Sequence, residues 1–385
     1  MDIVVVLTTL LMLISPSPTR AAIFPVNSGW DINDLEAGNG LCVSHIMIII
    51  PTVLTYCTLR AAVEEANALP GEDTILLGSG TYTISLEGRG EEQAATGDLD
   101  ITDSVRIIGA GADQTTIDGN SLDRLFDIHG SNIRVTMSNL TLIHGHPGDA
   151  TSSATGGALR NQGKLILEHV TIRANTAGQG GAIYNASAGD LHIAASTLYD
   201  NNSAKGGAIV NRGSANLINT TVADNQAGSL AGALLNAGTC NLIHCTIAEN
   251  RSDTGGGIVN AGTLTLTNCL LADNQPDNCL LETPPYSRGG NLDSGHSCQL
   301  GRLDISGLDP LLGPLADNGG PTMTMALPPE SPAVDGGIEL DGIVSDQRDA
   351  PRPTRRGMDS GAYELSELSI APCIMPLLGW SYRNL

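Results

Sequence analysis

Aromatic side chains are scarce: 2 Trp, 7 Tyr and 2 Phe in 385 residues, 3% of the chain. That excludes a thick globular core, which large rings usually fill, and leaves a thin aliphatic one. Basic residues are also few, 19 Lys and Arg against 41 Asp and Glu, for a formal net charge of −22. Such a surface repels phosphate, so nucleic acid and anionic membranes are excluded as partners, while cations are permitted. Long apolar runs are missing too. Ile3 to Ile14 is too short to span a bilayer, Ile46 to Val53 is interrupted by Pro51, and Pro372 to Trp380 is broken by two prolines, so no transmembrane span is expected.

Repetition is what the chain has in quantity. The phrase GGALRN at Gly156 returns as GGAIYN at Gly180, GGAIVN at Gly206, AGALLN at Ala231 and GGGIVN at Gly255, with starts 24, 26, 25 and 24 residues apart. This is the period of a solenoid coil. A second Asn follows the first by 14 residues, or by 16 in the coil of Asn185 and Asn201. Within a coil, Leu165 and Leu167, then Val170 and Ile172, alternate with other residues at the period of a strand. Leu217 and Val222, then Leu242, Cys245 and Ile247, then Leu264, Leu266, Cys269 and Leu271 refill the same interior columns. The fold class is therefore all-β, a right-handed parallel β-helix. Its Gly pairs mark corners, and its Asn columns (161, 185, 211, 236, 260 and 175, 201, 225, 250, 274) are expected to hydrogen-bond from coil to coil, a structural role weighed above a binding one.

Residues 1–22 have the core length of a signal peptide, although Asp2 stands where Lys or Arg is usual; cleavage near Ala21 or Ala22 is expected, with an inefficient signal or a different start residue as alternatives. Residues 23–70 form an N-terminal cap. In it CTLRAAVEEAN predicts a short helix with Thr58 as N-cap and Leu59, Val63 and Ala66 on one face, and Ile46 to Val53 predicts a capping strand or packed loop. The β-helix occupies 71–275, its first coils irregular, with a polar loop extruded between Gly145 and Thr155. Residues 276–364, rich in Pro and Gly, form an irregular C-terminal cap, and 365–385 are a tail.

The eight cysteines divide by position. Cys245 and Cys269 occupy the interior column of Val170, and Cys240 that of Leu165, so they read as buried thiols. Cys42 with Cys57, and Cys279 with Cys298, lie in loops outside the coils and are the expected disulfides; Cys373 is left over.

Candidate chemistry is sparse in the outward columns. Glu168 is followed by Ala194, Ile218, Ile243 and Thr267, and Arg173 by Tyr199, Ala223, Ala248 and Ala272, so that face gathers no pair of carboxylates for glycoside chemistry; the 145–155 loop or the cap would have to supply one. His169 and His244 share a column three coils apart, about 14 Å at the strand spacing, too far for one metal. His144 and His146 read as solvated turn residues, and the N-x-S/T sequons at Asn139, Asn185, Asn201, Asn219 and Asn250 as coincidences of an Asn-rich repeat. The residue before each second Asn forms an acidic column of Asp200, Asp224, Glu249 and Asp273 after Ala174. A solvated stripe is the plain reading. The sharper one is weak Ca²⁺ binding by those carboxylates with neighbouring Asn and turn carbonyls.

Three stretches resemble a family of exported bacterial β-helix proteins. CTLRAAVEEANALPGEDTILLGSGTYTI resembles the CSLREA-type N-terminal module, with Cys57, Thr58, Leu59, Arg60 and Ala62 on the motif and Ala61 in place of its Glu. The coils from Gly156 to Asn274 resemble polymorphic outer-membrane-protein repeats. DPLLGPLADNGGPT from Asp309, SPAVDGG from Ser331, DQR from Asp346 and DSGAYE from Asp359 resemble the end of choice-of-anchor Q proteins. The resemblance implies that the protein is secreted or held at the cell surface or outer membrane, and it implies a shape more than a chemistry. The expectation is a structural or adhesive protein without a catalytic site, meeting polysaccharide or other surface proteins. The alternative is a carbohydrate-active enzyme, a pectate-lyase-like lyase or a hydrolase, with loop-borne catalytic residues.

Overall fold

A computed structural model describes residues 21–49, 52–148 and 154–366; residues 1–20 of the expected signal segment, Cys373 and most of the tail lie outside them. Among the described residues there is one helix, and apart from two short antiparallel pairs the paired strands stack in parallel register, so the chain is a parallel β-helix. One sheet of eighteen strands forms the longest face, one of eight strands a second, and a three-stranded patch at Thr176–Gln179, Asn202–Lys205 and Gln226–Leu230 a third.

The predicted columns stack in register. Leu165, Leu191, Ala215, Cys240 and Leu264 are partners in turn, as are Ile172, Leu198, Val222, Ile247 and Leu271, and all are buried. Both Asn columns are continuous ladders. The amide of Asn161 donates to Asn185, which donates to Asn211, then Asn236 and Asn260, at 2.7–2.8 Å. The second ladder, Asn175 to Asn274, passes each amide to the next at 2.8–3.0 Å, and each side-chain oxygen also takes the backbone N–H of the Asn one coil earlier. Buried corner groups that water cannot reach are thereby satisfied. Asn185, Asn201 and Asn250 are fully enclosed by these bonds, which leaves no room for a glycan there.

The first Gly of each phrase has φ of +65° to +68°, and Ala231 takes the same place at +59°. The second Gly has a different reason. A Cβ on Gly157, Gly181, Gly207 or Gly232 would strike the carbonyl oxygen of the equivalent Gly one coil on, which explains why the second position stays Gly when the first becomes Ala.

The helix is Leu59–Ala68, with Thr58 as N-cap accepting from Ala61 N–H, and it covers the open end of the first coil with Leu59, Val63 and Ala66. Within it Arg60 is buried, paired with Asp31 at 2.6 Å and donating to the carbonyls of Ala94, Gly97 and Asp98. Cys42–Cys57 fastens this cap and Cys279–Cys298 the far end, while Cys240, Cys245 and Cys269 are buried thiols. The apolar run after Ser44 is an antiparallel hairpin, His45–Ile49 with Thr52–Tyr56, and Ile46, Met47, Ile48 and Leu54 on it are exposed. No helix among the described residues is long and apolar enough to cross a membrane.

Past Asn274 the stack continues for another coil through Cys279–Leu281, Tyr286–Gly289 and Leu292–Asp293. From Asp309 the chain turns back along the flank of the large sheet. There Met325, Leu327 and Ala333 cover Ala223, Ala248, Leu270 and Ala272 in a second apolar core. The outward column that begins at Arg173 and Tyr199 is small from Ala223 on, because the flap lies on it there. Gln347, fully buried, receives the Thr221 hydroxyl at 2.7 Å and donates to Thr197 at 2.8 Å, and Ala362 N–H donates to Thr246. The acids of the C-terminal motifs organise the flap. Asp346 holds Arg348 and Glu364 N–H, Glu364 holds Arg352 at 2.8 Å, and Asp359 accepts from Asp335 and Leu365 N–H.

Candidate functional site

The densest charged cluster lies on the eight-stranded face, in the coils before the regular phrase. Its strands Leu99–Ile101, Phe126–Ile128 and Leu159–Asn161 stack in register, so Asp100, Asp127 and Arg160 form one outward column. Loop 86–98, clamped by Arg60, brings in Arg89, Glu91, Glu92 and Asp98, and Pro147 of the extruded loop closes the rim of an open groove of about 300 Å³. Residues 149–153 of that loop lie outside the described residues.

Arg124 bridges Asp98 and Asp127 at 2.7 Å each, and Arg160 meets the same Asp127 oxygen at 2.8 Å. Burial raises the Asp98 carboxyl to about 7; the charges of Asp123, Asp100 and Asp127 add to this, and Arg124 opposes it. His129 is raised from its ordinary value chiefly by its hydrogen bond to Asp100, with the charges of Asp127 and Glu92 adding and burial opposing. One oxygen each of Asp98, Asp100 and Asp127 lies within 4.8 Å of the other two, and the same holds for the ligand atoms of Glu92, Asp100 and His129. Such sets suit a cation, or a proton held near neutrality.

The acidic column stands as one exposed carboxyl per coil, and Asp224, Glu249 and Asp273 line an open groove that also takes in Gln226, Arg251 and Gln275. Asp200, Asp224, Glu249 and Asp273 all have φ between +54° and +60°, so they sit on left-handed corners, where Asp is favoured over most other residues. The Glu249 carboxyl is raised by burial and by the charges of Asp224 and Asp273. His169 and His244 are apart, as the spacing requires. His169 meets Asp349 of the flap at 3.4 Å, and His244 is buried beneath the flap against Asn268. His144 pairs with Asp118. A further groove of about 330 Å³ at the flap edge is lined by Asp113, Arg173, Tyr199 and Asp317.

The charged cluster is not among the columns that the sequence picks out, all of which lie in the regular coils. Its signal was present in the triplets LDI at Leu99, FDI at Phe126 and LRN at Leu159, each an apolar, charged and inward residue on successive coils.

No family model matches the sequence, and no curated protein sequence does. Among solved structures, the pectate lyase Pel9A is similar over 89% of this chain and 96% of its own, at 13% identity and a TM-score of 0.44. That likeness carries no argument about activity.

Proposed function

We propose that the chain is an exported, cell-surface β-helix of structural or adhesive character that meets its partner, a polysaccharide or another surface protein, with the eight-stranded face. The observation that carries this reading is the outward column of that face: Asp100, Asp127, Arg160, Tyr184, Val210, Leu235, Val259 and Leu280 in unbroken register. It is a straight strip of roughly 34 Å at the strand spacing. Arg160, Tyr184, Leu235 and Leu280 reach its surface, and Asp100, Asp127, Val210 and Val259 are buried between them. The charged end sets Arg89, Arg124 and Arg160 among Glu91, Glu92, Asp98, Asp123 and Asp127, so it offers hydrogen-bond donors and acceptors side by side, as a polyhydroxylated chain requires. Export is supported by the apolar Ile3–Ile14 run, the two disulfides and the resemblance to surface β-helix proteins.

A carbohydrate-active enzyme is the second reading. Asp98 favours it, because a carboxyl raised to about 7 beside Arg124 can exchange a proton at neutral pH. Incubation of the purified protein with acidic and neutral polysaccharides separates the two. The adhesive reading expects retention without product, weakened about 10-fold or more by Arg89→Ala with Arg160→Ala. Oligosaccharide release that Asp98→Asn abolishes while binding persists replaces it with the enzyme.

A further inference from the structure

Three carboxylates converge on one imidazole nitrogen. His129 Nε2 lies 2.9 Å from Asp100 Oδ1, 3.2 Å from Glu92 Oε2 and 3.7 Å from Asp127 Oδ1. The two buried acids are aimed there by bonds to their other oxygens. Ala94 N–H holds Asp100 Oδ2, and Arg124 and Arg160 hold Asp127 Oδ2. Asp127 is only 3% exposed, yet its Oδ1 has no hydrogen-bond partner. A desolvated carboxylate oxygen without a donor is costly, and a protonated His129 does not relieve it, since the single N–H at Nε2 already faces Asp100.

We propose that Glu92, Asp100, Asp127 and His129 bind a divalent transition-metal ion of the zinc class through Glu92 Oε2, Asp100 Oδ1, Asp127 Oδ1 and His129 Nε2. In a tetrahedral shell with bonds of about 2.0–2.1 Å, ligand atoms stand roughly 3.3 Å apart, and the three separations from Nε2 straddle that value. The ligand atoms of Glu92, Asp100 and His129 lie within 4.8 Å of one another, and Asp127 completes the shell once the exposed Glu92 side chain swings toward it. Ca²⁺ fits less well, because it takes six to eight oxygens at longer bonds and gains little from an imidazole. Arg124, Arg160 and the Ala94 amide are then the outer groups that orient the ligands. Glu92, whose side chain is 66% exposed on loop 86–98, is the open side through which the ion enters. The ion pins that loop to strands Leu99–Ile101 and Phe126–Ile128, and the assignment does not rest on the adhesive reading.

The test is titration of chelator-treated full-length protein with Zn²⁺ alone at pH 7.5 by calorimetry, with Co²⁺ absorption as a probe of coordination. One equivalent is expected, with a tetrahedral Co²⁺ spectrum, insensitivity to millimolar Ca²⁺, and affinity weakened about 100-fold in His129→Gln and Asp127→Asn. Glu92→Gln, on an exposed loop, keeps the fold intact and is expected to weaken binding about 10-fold. Wild-type affinity in both His129→Gln and Glu92→Gln overturns the site and points to surface pairs such as His144 with Asp118. So does the lack of Zn²⁺ binding by the folded wild type, or tighter binding of Ca²⁺ than of Zn²⁺.

Discussion

Gly207 and Ala231 hold adjacent coils to the same geometry for different reasons. At Gly207 a methyl group would meet the backbone oxygen of Gly232, which the stacking register prevents from moving. Gly207→Ala is therefore expected to destabilise by about 1–3 kcal/mol through overpacking. Ala231, with a left-handed φ of +59°, carries the steric cost of its Cβ, so Ala231→Gly is expected to be neutral or stabilising by up to about 1 kcal/mol. Denaturant unfolding of the two variants checks both signs. Residue-level features of this kind were legible from sequence because each is restated coil after coil: the Gly pair, both Asn ladders and the inward Cys245 and Cys269 follow from repetition alone. Asp127 and Arg160 were not, because Arg124, which joins Asp127 to Asp98, occurs once and lies in the irregular coils.

Among the elements, the C-terminal flap was the least legible. Its pegs are single contacts across 126 residues, such as Thr221 with Gln347, and such contacts leave no period in the sequence. The helix Leu59–Ala68, by contrast, carries its cap and its buried face within eleven residues and was read correctly. The flap also governs a pH response. Beneath it burial pulls His244 down to about 2, with Arg352 adding to the effect, whereas burial raises Asp359 to about 6. His244 binds a proton when unfolded and not when folded between pH 6.5 and 2, so its contribution is full above 6.5 and is lost as pH falls. Asp359 has the opposite sign. Its folded form holds the proton more tightly, so stability falls as pH rises from about 4 to about 6. Asn stands at the His244 position in the neighbouring coils, at Asn219 and Asn268, with the same positive φ. His244→Asn is thus expected to fold, and to gain stability over wild type progressively as pH is lowered from 6.5 to 4.5. Unfolding curves at matched ionic strength measure this, and parallel curves for the two proteins contradict it.

Across the whole molecule, three charged features compete as the place where function resides: the acidic column, the groove at the flap edge, and the cluster over Asp98, Asp127, Arg124 and Arg160. The column's carboxylates sit on left-handed corners that favour Asp whether or not an ion is present. A weakly bound Ca²⁺ adds linkage stabilisation of only about 0.4 kcal/mol when its concentration equals the dissociation constant. We expect millimolar Ca²⁺ to raise the melting temperature of wild type slightly and that of Asp224→Asn with Glu249→Gln not at all; equal curves in both proteins leave a solvated stripe. The central claim, that the eight-stranded flank of the first coils is the binding surface, is tested most directly by measuring retention of the purified protein on a polysaccharide panel with three variants beside wild type. These are Arg89→Ala with Arg160→Ala on the flank, Asp224→Asn with Glu249→Gln on the column, and Arg173→Ala at the flap edge. The account predicts that wild type binds and that only the flank variant loses binding, by about 10-fold or more. Undiminished binding by the flank variant, or no retention of the folded wild type at all, contradicts it.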